Sequence, residues 1–242
     1  MIVLSVGMPR AGSGWHYNVI HDLMATTGCA DARDIRERYR LHDILTEVNC
    51  NIGVLSMRRL ARVTVPALTG NTFVIKAHAG PSAGSRFLEA IGLLRVSYIY
   101  RDPRDAMLSA FDFGQRALEK GRPNAFSHLT DFQKTLDFMA EYVRIWERWM
   151  SEKSALIARY EDLLTDYDNE ANRLAKFLKL NGDRPEVREV IERYRPGQAE
   201  GQQGLHFYKG KIGRFRESYS VEEQKTMAAR FGPALEKMGY GI

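Results

Sequence analysis

The sequence predicts an α/β protein of a single domain, with a central parallel sheet of about four to five strands flanked by helices. Three observations carry that prediction. Short apolar, β-branched runs recur along the chain and end in polar or charged residues, helical patterns lie between them, and the opening run breaks into a Gly/Pro-rich turn that leads into a helix. Strands that alternate with helices pair in parallel, because each crossover brings the chain back to the same end of the sheet.

Residues 2–6, Ile-Val-Leu-Ser-Val, open the chain as the first expected strand, and Gly7 ends it. A helix is expected at 15–24. Residues 72–75, 96–100 and 155–158 repeat the apolar strand pattern. Between the second and third of these strands, residues 85–94 suit a helix. Residues 132–150 place Leu136, Met139, Val143, Ile145, Trp146 and Trp149 on one amphipathic face. Helices at 169–178, 187–194 and 221–238 complete the set. Two segments lack such a pattern. Residues 28–70 crowd Asp31, Arg33, Asp34, Arg36, Glu37, Arg38, Arg40 and Asp43 together and are hard to phase. Residues 196–214 contain five glycines, which suits either a ligand-closing lid or a solvated surface loop.

Composition narrows the class. A chain of 242 residues is long enough for one sizeable core, and 44% hydrophobic with 27% charged residues is ordinary for a soluble protein. The net charge of +5 favours an anionic ligand, but the basic residues are scattered among acids, so no nucleic-acid footprint is expected. Cys29 and Cys50 form neither a CxxC pair nor a metal-ligand cluster, and reduced thiols in the cytoplasm are expected. The opening run is too short for a signal sequence, and no stretch approaches the ~20 apolar residues of a membrane span.

The chemistry concentrates at strand ends. After the first strand comes Gly7-Met-Pro-Arg10-Ala11-Gly12-Ser13-Gly14-Trp15. Unpartnered amides at such a loop and the dipole of the helix that follows suit a phosphate-like anion; the same residues also suit a turn that merely connects. Gly7 and Gly12 have the spacing of an ATP-type P-loop, yet Ser13-Gly14 stands where Lys-Ser/Thr should follow. Arg10 is the only cation in the loop. At the third strand, Tyr100-Arg101-Asp102-Pro103-Arg104-Asp105 runs into a turn, with Asp105 expected to cap the next helix and Ser109 upon it. Arg101 suits either the ligand of the first loop or an ion pair with Asp105 inside the turn. At the second strand, Lys76 and His78 share a face if the chain stays extended. They suit an oxyanion stabiliser and a general base, and a structural histidine equally. The other histidines, at 16, 21, 42, 128 and 206, have no comparable setting.

Together these segments resemble the sulfotransferases that use 3′-phosphoadenosine 5′-phosphosulfate (PAPS). The family's Pro-Lys/Arg-x-Gly-Thr/Ser-x-Trp-like loop is matched by Pro9-Arg10-Ala11-Gly12-Ser13-Gly14-Trp15. Its Arg-Asn/Asp-Pro-Lys/Arg-Asp motif, with a Ser eight positions beyond the first Arg, is matched by Arg101-Asp-Pro-Arg-Asp105 and Ser109. Lys76-Ala77-His78, Tyr160-Glu161-Asp162-Leu163 and Lys209-Gly210-Lys211-Ile212-Gly213 follow three further elements, in the family's order.

The resemblance implies the P-loop-NTPase-like sulfotransferase fold and a set of roles. The amides of Ala11, Gly12, Ser13 and Gly14 and the Ser13 hydroxyl would hold the 5′-phosphosulfate. Trp15 would pack on adenine with Tyr160 near the base, and Arg101, Ser109 and Lys209, beside Gly210, would clamp the 3′-phosphate. His78 would take the acceptor proton, while Arg10 and Lys76 would stabilise the leaving 3′-phosphoadenosine 5′-phosphate (PAP). No metal is required, because the cations are built in. The acceptor is expected to be a small hydroxylated metabolite, sulfated on a hydroxyl or an amine. Residues 28–70 are expected on the acceptor side, with Gly80–Arg86, the 196–208 loop, and Phe111 and Phe113 as apolar walls. Asp34, Asp43 and Asp112 suit a cationic or polyhydroxylated acceptor; equally, the two rings suit the core and the acids suit solvent.

The sequence departs from the family at three points. Arg10 stands where the cytosolic branch has Lys, Gly14 replaces a hydroxyl residue, and Tyr208 replaces an Arg before Lys209. Residues 216–225 match the dimer segment of that branch only loosely, so the oligomeric state is left open. Two other readings remain at this level, a P-loop nucleotide or small-molecule kinase and a non-catalytic nucleotide-binding protein.

Overall fold

The structure, a computed structural model, describes residues 1–196 and 211–241. Ile2–Gly7 forms β1 with all six residues buried, as a β-branched run does at the centre of a parallel sheet covered on both faces. Phe73–Ala77 (β2) pairs with one edge of β1 and Leu94–Tyr100 (β3) with the other, while Leu156–Arg159 (β4) lies beyond β3. Every pairing is parallel, in the order β2-β1-β3-β4. Each strand falls within two residues of its expected position. The outer edge of β2 is capped by two isolated parallel bridges, Ala30 to Phe73 and Asn51 to Lys76. Part of the unphased 28–70 segment is therefore sheet-edge cover.

Side-chain alternation along β1 divides the core in two. Ile2, Leu4 and Val6 face a layer built from Met57–Leu68 (α3), Ala83–Ala90 (α4), Pro103–Glu119 (α5), Phe132–Met150 (α6) and Val221–Met238 (α11). Val3 faces the opposite layer, built from Ser13–Ala25 (α1), Tyr167–Phe177 (α8) and Pro185–Arg193 (α9). Shorter helices at Ala32–Arg38 (α2), Tyr160–Thr165 (α7) and Phe215–Ser218 (α10) fill the connections.

Helix α6 matches its expected limits because its signal is strong. Asp131 caps it through the Lys134 amide, and Leu136, Met139, Val143, Trp146 and Trp149 are buried, with Ile145 at the rim. Trp149 packs near Tyr98, its ring 6.0 Å away, and its Nε1 donates to the Ala79 carbonyl at 3.0 Å. Arg148 donates to the Pro81 carbonyl at 2.5 Å. The chain that leaves β2 is thus pinned on both sides of Gly80. Truncating Trp149 to Ala is expected to cost about 3–5 kcal/mol through the cavity alone.

Three expectations change. The helix placed at 85–94 runs from Ala83 to Ala90, because a Ser82–Ser85 capping box starts it early and Gly92, at φ 75°, turns the chain into β3. Helix α5 is capped by Asp102 rather than Asp105: Asp102 accepts from the Arg104 amide and Pro103 occupies the first turn, where its missing N–H costs nothing. Helices α2 and α3 lie within 28–70, where only charge was legible. Residues 197–210, including Lys209 and Gly210 and most of the expected lid, lie outside the described residues.

Candidate active site

Helix α1, which follows β1, and helix α5, which follows β3, pack on opposite faces of the sheet. The C-terminal ends of β1 and β3 therefore flank a switch point, where the crossovers part and leave a crevice. The turn after β1 is tight. Met8 N–H donates to the Ile99 carbonyl at 2.9 Å and Ala11 N–H to the Met8 carbonyl at 3.2 Å. Arg10 and Gly12 both take positive φ, 63° and 75°. A Cβ on Gly7 would lie 2.7 Å from the Ser13 Cβ, and one on Gly12 would lie 2.7 Å from the Tyr160 ring. The glycines are there for close approach. The first helical bond runs from His16 N–H to the Gly12 carbonyl, so the amides of Ser13 and Gly14 have no helical acceptor.

His16 anchors this turn from beneath. Its Nδ1 lies 3.0 Å from Ser5 Oγ on β1 and its Nε2 lies 2.9 Å from Ser97 Oγ on β3. Burial first, and Lys76 second, push its pKa down to about 3, so the ring is neutral. The sequence offered no setting for this residue; it is a structural bridge between the two central strands.

Three cations surround the crevice. Arg10 donates from Nε to Ser109 Oγ at 3.3 Å, and its Cζ lies 4.2 Å from the centroid of the Phe113 ring. Lys76 is buried at 6% exposure. Neither forms an ion pair or, in the case of Lys76, a side-chain hydrogen bond among the described residues. Burial, then Arg10, lowers the Lys76 ammonium to about 8. Burial, then repulsion from Arg116 and Arg101, lowers Arg10 to about 10.

Arg101 is the third cation. It pairs with Asp105 at 3.3 Å, donates to the Lys211 carbonyl at 2.8 Å and lies 4.7 Å above the Tyr160 ring. The ion pair expected within the turn forms. Its Nε is buried without a partner among the described residues. Asp105 is spread across several donors, since it also accepts from the amides of Gly213 at 2.6 Å and Phe215 at 3.0 Å.

His78 sits just past β2, and its Nδ1 is 2.6 Å from the Gly7 carbonyl oxygen. A carbonyl only accepts, so Nδ1 carries the proton and Nε2 is the basic nitrogen. Burial, then Lys76, depresses the imidazolium to about 4, against the pull of the Gly7 bond.

Other expected residues are placed less directly. Ala11 is fully buried and Ser13 nearly so. Trp15 is 3% exposed within the second core, where its Nε1 donates to the Tyr194 carbonyl at 3.2 Å and its ring lies 6.0 Å from Tyr167. Phe111 and Phe113 are half-buried and belong to neither core. Asp112 pairs with Arg214 at 2.8 Å and Asp43 with Arg62 at 2.8 Å, so both acids already have counter-charges. The sequence did not single out the buried Glu161 as a separate contributor. Its Oε1 accepts from the Asp102 amide at 3.2 Å and its Oε2 from the Tyr240 hydroxyl at 2.5 Å, which fixes the Arg101 turn from below.

Among the described residues, buried cations without matching carboxylates, an orphaned guanidinium nitrogen, and Ser13 and Gly14 amides with no helical acceptor fit an anionic ligand bearing phosphate groups. Such a site at the switch point of a parallel α/β sheet suits a phosphate ester. The chain belongs to the sulfotransferase family: the family model described as Sulfotransferase domain matches residues 3–239. Among curated protein sequences none matches. The fold is similar to a crystal structure of mouse sulfotransferase SULT7A1 complexed with PAP, at 14% identity over 97% of this chain and 83% of that one, with a TM-score of 0.63. It is also similar to retinol dehydratase in a complex with retinol and PAP, at 17% identity, 97% and 81% coverage and a TM-score of 0.61. A complex of retinol dehydratase with androsterone and inactive cofactor PAP gives 17% identity, 97% and 80% coverage and a TM-score of 0.59. No helix among the described residues is long and apolar enough to cross a membrane.

Proposed function

We propose that the protein transfers a sulfuryl group from PAPS to a hydroxyl or amine of a small-molecule acceptor, in the cytoplasm and without a metal. The observation that carries this reading is the meeting of Arg10, Lys76 and the oriented His78 around one glycine turn, with no carboxylate pairing the first two. The donor supplies an activated sulfuryl group on a phosphosulfate anhydride. The amides of Gly12, Ser13 and Gly14 and the Ser13 hydroxyl hold its 5′ end, while Ala11, whose amide is taken by the Met8 carbonyl, shapes the turn. Arg101 with Ser109 receives the 3′-phosphate, assisted by Lys209 beside Gly210. Trp15 and Tyr160 flank the base.

His78 removes the acceptor proton at Nε2, because Nδ1 is committed to Gly7. Arg10 and Lys76 stabilise negative charge on the departing phosphate; Arg10 does so purely by charge, since it stays protonated at neutral pH. Positioning and charge together carry such a transfer, as in phosphoryl transfer. The kinase reading fits less well: Asp102, a carboxylate at the end of β3, is held by Arg104 at 2.8 and 3.0 Å and caps α5. For the acceptor, the retinol and androsterone bound by retinol dehydratase support a small hydroxylated compound. The 28–70 segment and Phe111 and Phe113 form its side of the site.

The test is transfer of label from sulfur-labelled PAPS to a panel of hydroxylated and amino compounds, in the presence of a chelator. Label in an acceptor is expected. His78→Ala should lose 10²–10⁴-fold in turnover while binding PAP as before. Failure of the wild-type protein both to bind PAP and to label any acceptor would overturn the proposal, and full turnover in the variant would remove the base.

A further inference from the structure

We infer that Phe113 is a positioning residue, an aromatic platform that holds the Arg10 guanidinium where the departing phosphate needs it. Arg10 has an unusual problem. Its backbone sits at φ 63°, outside the ordinary range for a side-chain-bearing residue, and it makes no ion pair with a described carboxylate. A long side chain with a free charge samples many rotamers unless something holds it. A carboxylate would hold it but would also cancel the charge and repel an anionic ligand. An aromatic face orients a guanidinium and leaves its charge available.

The geometry supplies that face. Ser109 and Phe113 lie four residues apart on α5, so they share one side of the helix. Arg10 spans both, with Nε on Ser109 Oγ at 3.3 Å and Cζ 4.2 Å from the Phe113 centroid. The ring is itself braced. Phe126 meets it edge-on at 5.7 Å and 72°. Gly114 makes that contact possible, because a Cβ there would lie 2.3 Å from the Phe126 carbonyl oxygen, and Asn124 donates to the Phe113 carbonyl at 3.3 Å.

The role assigned to Arg10 rests on the proposed sulfuryl transfer, whereas the platform itself is a physical arrangement, so two readouts are needed. The first is nuclear magnetic resonance of arginine labelled with ¹⁵N. In the wild-type protein the Arg10 side-chain protons should show a ring-current shift that persists in Phe113→Tyr and Phe113→Trp and disappears in Phe113→Leu. The second is steady-state kinetics with PAPS. Phe113→Leu should lower kcat tenfold or more, with PAP affinity and melting temperature little changed, and Phe113→Tyr should restore kcat to within about threefold. A packing role would be served by Leu nearly as well as by Tyr. Equal kcat in the Leu and Tyr variants, or no ring-current shift on Arg10 in the wild-type protein, would overturn the inference. A wild-type protein that shows the shift but neither binds PAP nor transfers sulfur would instead overturn the proposed function and uphold the platform.

Discussion

The imidazole of His78 gives its Nδ1 proton to the carbonyl oxygen of Gly7, 2.6 Å away. One bond thereby ties the expected base to the start of the anion-binding turn, and it selects which nitrogen faces the acceptor. It also couples two strands, since Gly7 ends β1 and His78 follows β2.

The pH dependence follows from the neighbours of this ring. His78 must be neutral to accept a proton, and its folded value near 4 places the acidic limb there. Lys76 must be charged to stabilise the leaving group, and its value near 8 places the alkaline limb there. We expect kcat/KM for the donor, which reports the free enzyme, to be bell-shaped between those values. The kcat profile should shift alkaline, because a bound anion favours the protonated form of both groups. An acidic limb at an unperturbed 6.5 in kcat/KM would contradict the burial of His78.

Acid stability should report His16. Its folded value near 3 lies below the unfolded 6.5, so between those pH values the unfolded chain binds the extra proton. Stability contributed by the neutral ring is fully present above 6.5 and falls with each pH unit below it by about 1.4 kcal/mol. His16→Ala strands the Ser5 and Ser97 hydroxyls and leaves a cavity, at a cost of roughly 3 kcal/mol or more. His78, also depressed, adds its own fall in this window, so chemical denaturation of the wild-type and His16→Ala proteins at pH 7 and pH 5 checks both. An equal fall in the two proteins would count against the buried neutral ring of His16.

Gly12→Ala separates backbone strain from collision. Gly28 also has positive φ, 77°, but a Cβ there meets nothing within 4 Å. Gly28→Ala should therefore cost only the backbone term, about 1–2 kcal/mol. Gly12→Ala adds the clash with Tyr160 and should be the more destabilising, with PAP affinity reduced tenfold or more. Equal melting temperatures for the two variants would argue against the Tyr160 contact.

Much of this was legible in the sequence, for identifiable reasons. Strands β1 and β2 are buried along their whole length and β3 nearly so, and all four strands read as short, mainly apolar runs although β4 at the sheet edge is only half-buried. Helices α6 and α11 are long enough for their periodicity to show. Arg10, Lys76, His78 and Arg101 could be found because each stands where a strand ends. Residues 28–70 could not be phased. Helix α2 spans only Ala32–Arg38, too short for a period, and α3 carries Pro66 in its interior, which reads as a helix breaker. Phe113 was legible only as a candidate acceptor wall and Glu161 only as part of the Tyr160-Glu161-Asp162-Leu163 element, because the role of each acts through a neighbour. Only the fold brings Phe113 under Arg10, or Glu161 to the Tyr240 hydroxyl 79 positions away.

Calorimetric titration with PAP, adenosine 5′-monophosphate and Mg-ATP is the most direct test of the site as a whole. PAP should bind at least tenfold more tightly than either competitor. Arg101→Ala should weaken PAP by about 10–150-fold, the loss of one charged hydrogen-bonding partner, and leave adenosine 5′-monophosphate nearly unaffected. Preference for Mg-ATP, or an Arg101→Ala protein that binds PAP as tightly as the wild type, would contradict a crevice built around the 3′-phosphate.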